Sequence, residues 1–100
     1  MLHTVNKSPF EKNSLDTCLR LAKPGSAILL FEDAVYAAVK GTAMDAQMKE
    51  ATEKHSVYVL EPDLQARGIE KEKIMDGISV VGYDGFVDLA ATNDSVQSWL

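Results

Sequence analysis

A run of five apolar residues, Ala27 to Phe31, does most to limit what this chain can become. Pro24-Gly25 precedes the run, and the carboxylates Glu32-Asp33 end it. Without alternation, such a run reads as a strand covered on both faces, which is the habit of parallel sheets. The small and apolar residues from Ala34 to Val39 then predict a helix packing back onto that sheet. Strand, charged corner and helix form a βα unit. Functional sites in open α/β sheets favour the carboxyl ends of strands, so Glu32-Asp33 is the first place to look for chemistry.

The remaining chain repeats the pattern. Leu2 to Val5 favours a strand, and Pro9 biases Ser8 toward a loop. Leu15, Cys18, Leu19 and Ala22 fall at i, i+3, i+4 and i+7, one face of a helix that Asn13 or Ser14 could cap. Ala43 to Lys54 reads as another helix, its small-sided stripe interrupted by Gln47 and its surface offering the pairs Asp45–Lys49 and Glu50–Lys54. Ser56 to Leu60 is a β-branched and aromatic strand. Pro62 and Gly68 bracket a short helix, and Glu70 to Lys73 reads as a solvated loop. Ile78 to Val81 is a further strand, followed by a helix over Phe86 to Ala91 with Asp84 as its cap. The tail Ser95 to Leu100 is apolar for a chain end, so Trp99 is expected to dock onto something. These elements predict an α/β fold over residues 1–100 as one domain, with a small, mostly parallel sheet of four or five strands and helices on both faces.

Composition narrows the function. Fifteen acids against ten bases give a net charge of −5, which disfavours unaided binding of nucleic acid and favours a module that meets proteins. No apolar segment approaches the ~20 residues of a membrane span and no signal peptide is evident, so a soluble cytoplasmic protein is expected. The one cysteine, Cys18, cannot form an internal disulfide, and His3 and His55 lack the spacing of a zinc site. Gly82-Tyr83-Asp84-Gly85 has too few glycines for a phosphate loop. No cofactor and no metal are expected.

Each candidate site has two readings. Cys18 is the only group with sulphur chemistry, but it lies mid-helix on the apolar face, with Arg20 and Lys23 on the other side. There it is either a small buried hydrophobe or a thiol that borders an interface. Glu32-Asp33 could form an acid–base pair, although an Asp after a strand commonly caps the next helix. Glu61 and Asp63 stand in the same position one strand later. His3 reads as a satisfied strand residue or a base, and Trp99 and Phe86 as core or interface.

Read together, four segments resemble one known family. Met1-Leu2-His3-Thr4-Val5-Asn6-Lys7-Ser8-Pro9-Phe10 is similar to the opening of the DsrH/TusB family of sulphur-relay proteins. Leu30-Phe31-Glu32-Asp33-Ala34-Val35-Tyr36-Ala37-Ala38 resembles its second strand and turn, with Ala34 where members often have glycine. Tyr58 to Gly68, then Tyr83 to Leu89 with the ending Gln97-Ser98-Trp99-Leu100, resemble its later parts.

The resemblance implies a DsrE-like fold and a subunit that joins DsrE-like and DsrF-like subunits in a heterohexamer, two copies of each. That complex passes persulphide sulphur to or from cysteines, with a DsrC/TusE-like carrier as partner. In the tRNA branch the sulphur is destined for 2-thiouridine; in the other branch it belongs to oxidation of stored sulphur. Members of the tRNA branch commonly lack a cysteine in the first helix. Cys18 and the Asn6 to Glu11 wording therefore favour the sulphur-oxidising branch, and Cys18 becomes the candidate persulphide carrier. The principal reactive cysteine is implied to lie on the DsrE-like partner. A purely structural subunit is the other outcome.

Overall fold

The computed structural model describes residues 1–100. Five strands, β1 (Leu2–Val5), β2 (Ala27–Leu30), β3 (Ser56–Leu60), β4 (Ile78–Val81) and β5 (Val96–Trp99), form one sheet in the order β4-β3-β2-β1-β5. Every neighbouring pair is parallel. The apolar run thus lies at the middle of the sheet, and every residue of β1 and β2 is buried. The tail forms β5 by pairing Val96, Gln97, Ser98 and Trp99 with Leu2 to Val5 along the otherwise open edge of β1.

Helices α1 (Ser14–Leu21), α2 (Asp45–Lys54), α3 (Glu61–Ala66) and α4 (Tyr83–Thr92) connect the strands. Leu15 and Cys18 of α1, Met48 and Ala51 of α2, and Leu64 of α3 join Val5, Ile28, Leu30, Val57 and Val59 in the main core. The opposite face of the sheet has a smaller core of Leu2, Ala27 and Leu29, against which Phe86 and Leu89 of α4 pack. The strand order explains this asymmetry. The chain winds from β1 to β4 toward one edge, and α4 must then cross the opposite face to start β5 at the other edge.

Several local expectations resolve differently. The helix expected from Ala34 is a 3₁₀ helix over Glu32–Ala38. Its three-residue turn stacks Ala34 over Ala37 and Val35 over Ala38, and all four are buried. Asp45 does not pair with Lys49. Instead its carboxylate accepts the backbone N–H groups of Gly41 and Thr42 at 3.0–3.1 Å, closing the turn before α2. Glu50 and Lys54 do pair, at 2.7 Å. Gln47 is polar because its amide donates to Asp16 at 2.9 Å, joining α2 to α1. Lys71–Lys73 form a short 3₁₀ turn within the expected loop. Asp84 lies inside the first turn of α4 and makes no capping bond; Gly82 holds the cap position.

Gly85 shows how closely α4 approaches β4. A Cβ added there would stand 2.8 Å from Cβ of Val81, which is fixed to the strand backbone. Gly85→Ala gains up to about 1 kcal/mol of helix propensity, but forcing the helix off the sheet costs about 1–3 kcal/mol. Urea denaturation should show a net loss of stability, and a stabilised Gly85→Ala protein would refute this close packing.

Candidate functional site

The carboxyl ends of β1, β2 and β3 bring together Asn6, Glu32, Asp33, Glu61 and Asp63. Glu32 has φ +48°, a conformation that costs a non-glycine residue about 1–2 kcal/mol. Its backbone N–H points at Asp63, whose Oδ2 accepts it at 2.8 Å. A carboxylate acceptor is the stronger kind of partner for an amide and offsets the backbone cost. Asn6 Nδ2 donates to Glu32 Oε1 at 3.3 Å, so the corners after three successive strands are linked.

Asp33 was expected to cap the following helix. It makes no cap; Arg67 takes it, donating from Nε and Nη2 to Oδ1 at 3.0 and 2.8 Å. Arg67 Nη1 also donates to the backbone carbonyl of Asp63 at 3.0 Å. The two acids therefore have separate partners: Asp33 accepts from Arg67 and ties the 3₁₀ helix to α3, whereas the Glu32 carboxylate accepts from Asn6 after β1, so they are not engaged with each other as an acid–base dyad. Lys71 similarly engages Glu61. The i, i+4 spacing of Asp63 and Arg67 could have suggested their pairing. Nothing in sequence links Arg67 to Asp33, 34 residues away. Because Arg67 is largely covered while Asp33 is exposed, Arg67→Met should cost about 1–2 kcal/mol in chemical denaturation, with Arg67→Lys intermediate. Equal stability of Arg67→Met and wild type would show that the tie contributes nothing.

Cys18 lies apart from these carboxylates, fully buried in the main core. Burial pushes its thiol up to about 12, because no cation offsets the desolvation of the thiolate. The exposed Arg20 does not help, since it pairs with Asp16 at 3.3 Å on the outside of α1. At neutral pH the thiolate is then roughly a thousandfold rarer than for a free thiol. Ellman's reagent should react with Cys18 very slowly in the folded chain and rapidly in urea. Prompt labelling without denaturant would show that the α1 face opens.

His3 and Trp99 form a second feature. Trp99 Nε1–H donates to Nδ1 of the buried His3 at 3.0 Å, binding the tail to the first strand across 96 positions. Neutral His3 must therefore carry its proton on Nε2. Its pKa is lowered from 6.5, first by burial, then by the N-terminal ammonium and His55. His55 is lowered too, by burial and then Lys54, against a hydrogen bond to the Lys23 backbone. Both imidazoles bind protons less readily folded than unfolded, so their contribution to stability is present above about pH 6.5 and declines below it. Urea stability should be lower at pH 5.5 than at 7.5. Protonated His3 cannot accept from Trp99, so emission of this single tryptophan should change over the same range, and His3→Asn should flatten that change. An unchanged titration in His3→Asn would show that His3 does not control Trp99.

Strand order, an all-parallel sheet and an edge formed by the chain end define a small α/β protein built on one five-stranded sheet. The ychN protein from E. coli has this fold, with a TM-score of 0.82 at 21% identity over 97% of both chains. A protein of unknown function from Methanobacterium thermoautotrophicum shares it, with a TM-score of 0.70 at 13% identity over 97% of this chain and 95% of that one. The family model described as "DsrH like protein" matches residues 7–96, and the chain belongs to that family. It is 40% identical to Protein TusB of Erwinia tasmaniensis, over 99% of this chain and all of that one. Identity to Protein TusB of Escherichia coli (strain K12 / DH10B) is 36%, again over 99% of this chain and all of that one. No helix is long and apolar enough to cross a membrane.

Proposed function

We propose that this chain is a TusB-like subunit of a cytoplasmic sulphur-relay complex, assembled with DsrE-like and DsrF-like subunits, whose sulphur ends in 2-thiouridine of tRNA. The full-length similarity to proteins named TusB carries this reading. It displaces the sulphur-oxidising branch, which the presence of Cys18 favoured. A thiol with no exposed surface and a pKa of about 12 is a poor marker for a dedicated carrier.

On this reading the partner's cysteine performs the fast exchange and this chain supports it structurally. Cys18 takes up sulphur only when the α1 face opens. Its thiolate would then attack the outer sulphur of a persulphide on the carrier cysteine. A new S–S bond forms on Cys18, the donor's S–S bond breaks, and the carrier cysteine leaves as a thiolate, with no external oxidant.

The test is the intact mass of every subunit after the co-expressed complex meets a persulphide donor, alongside tRNA analysis in the host. Sulphur should load the DsrE-like subunit promptly and this chain slowly, through Cys18 alone. Removing the gene should deplete 2-thiouridine, whereas Cys18→Ala should largely preserve it. Loss of 2-thiouridine in Cys18→Ala with the complex intact would make Cys18 the principal carrier. Unchanged tRNA in the deletion, with oxidation of stored sulphur lost, would restore the other branch.

A further inference from the structure

Helix α4 is the only layer over its face of the sheet, yet none of its residues is buried. Phe86 and Leu89 turn inward onto the smaller core. Tyr83 and Val87 are 61% and 65% exposed, and Ala90 is exposed beyond them. Their i, i+4, i+7 spacing makes a second apolar stripe on the side away from the sheet. Single exposed apolar residues are ordinary, but a stripe along an unpartnered helix marks an interaction surface.

Charge identifies the kind of partner. All ten Lys and Arg residues lie within residues 1–73, where eleven acids nearly balance them. Residues 74–100 contain four aspartates and no Lys, Arg or His, so most of the net charge of −5 belongs to this last quarter of the chain, with Asp84 and Asp88 on α4 itself. Asp84 and Asp88 line one side of the Tyr83–Val87 stripe, with Asp94 just beyond the helix. Two copies joined α4 to α4 about a two-fold axis would set these aspartates against their own counterparts. The surface instead complements an apolar groove with a basic rim.

We propose that the outward face of α4 docks into an apolar groove edged by Lys and Arg on a different relay subunit. This rests on the assembly proposed above and goes further in naming the surface and the chemistry it requires. The acidic side of the stripe would speed and orient encounter, while Tyr83 and Val87 would supply the buried anchors.

The test co-expresses the full chain with the DsrE-like and DsrF-like subunits of its host. A photo-crosslinking amino acid is placed at position 87 or, as a control across the sheet, at the exposed Lys12 position. Position 87 should cross-link to a Lys- or Arg-containing peptide of one partner, and position 12 should not. The double variant Asp84→Lys, Asp88→Lys, checked for native circular dichroism, should weaken association about tenfold or more at low salt and less at high salt. Val87→Lys should weaken it at every salt concentration. A complex that forms without cross-linking from position 87 and tolerates both variants overturns the surface while leaving the assembly intact. Cross-links from position 87 to another copy of this chain overturn the choice of partner. A wild-type chain that stays apart from both subunits overturns the assembly and the surface together.

Discussion

Burial of β1 and β2 on both faces is the constraint on which the rest of the structure depends. Neither strand has a solvated side, so neither is stable unless a layer packs above and below it. Each large aliphatic residue enclosed there contributes about 1.5–3 kcal/mol. A chain of 100 residues has few such residues to spare. One layer is thick, built by α1, α2, α3 and the buried 3₁₀ helix around sixteen core residues. The other is thin, with three core residues beneath a single helix.

That inequality follows from topology. Four strands are laid down in one direction with their connections mainly on one face, leaving one crossing to cover the other. The same crossing returns the chain to the open edge of β1, where Trp99 reaches His3. The thin layer is therefore both the closure of the fold and its least covered surface. None of the residues of α4 is buried, and Tyr83 and Val87 stand outward from it.

At the carboxyl ends of the strands the acids have a different task. The 3₁₀ helix can insert its small residues beside the sheet only if the chain turns sharply at Glu32, and Asp63 holds the amide that this turn exposes. Arg67 then binds the same corner through Asp33. A cluster that looks catalytic in one dimension is an anchoring network in three. The single thiol, meanwhile, is enclosed by apolar neighbours that suppress its ionisation.

The sequence by itself determined the repeating β and α elements, the parallel sheet and the apolar face of α1. These follow from local periodicity, from an unalternating apolar run, and from breaks at Pro24-Gly25 and after Val81. The resemblance of whole segments also pointed to the family, because such wording survives where individual side-chain roles do not. Tertiary structure decided that Asp33 binds Arg67, that Asp45 closes a turn, that Gln47 meets Asp16 and that the tail becomes β5. It also decided that the apolar position of Cys18 means complete burial, which the helical stripe left open. The physical reason is range. Periodicity and turn chemistry act over a few residues, whereas hydrogen-bond partners and desolvation depend on groups brought together from distant parts of the chain.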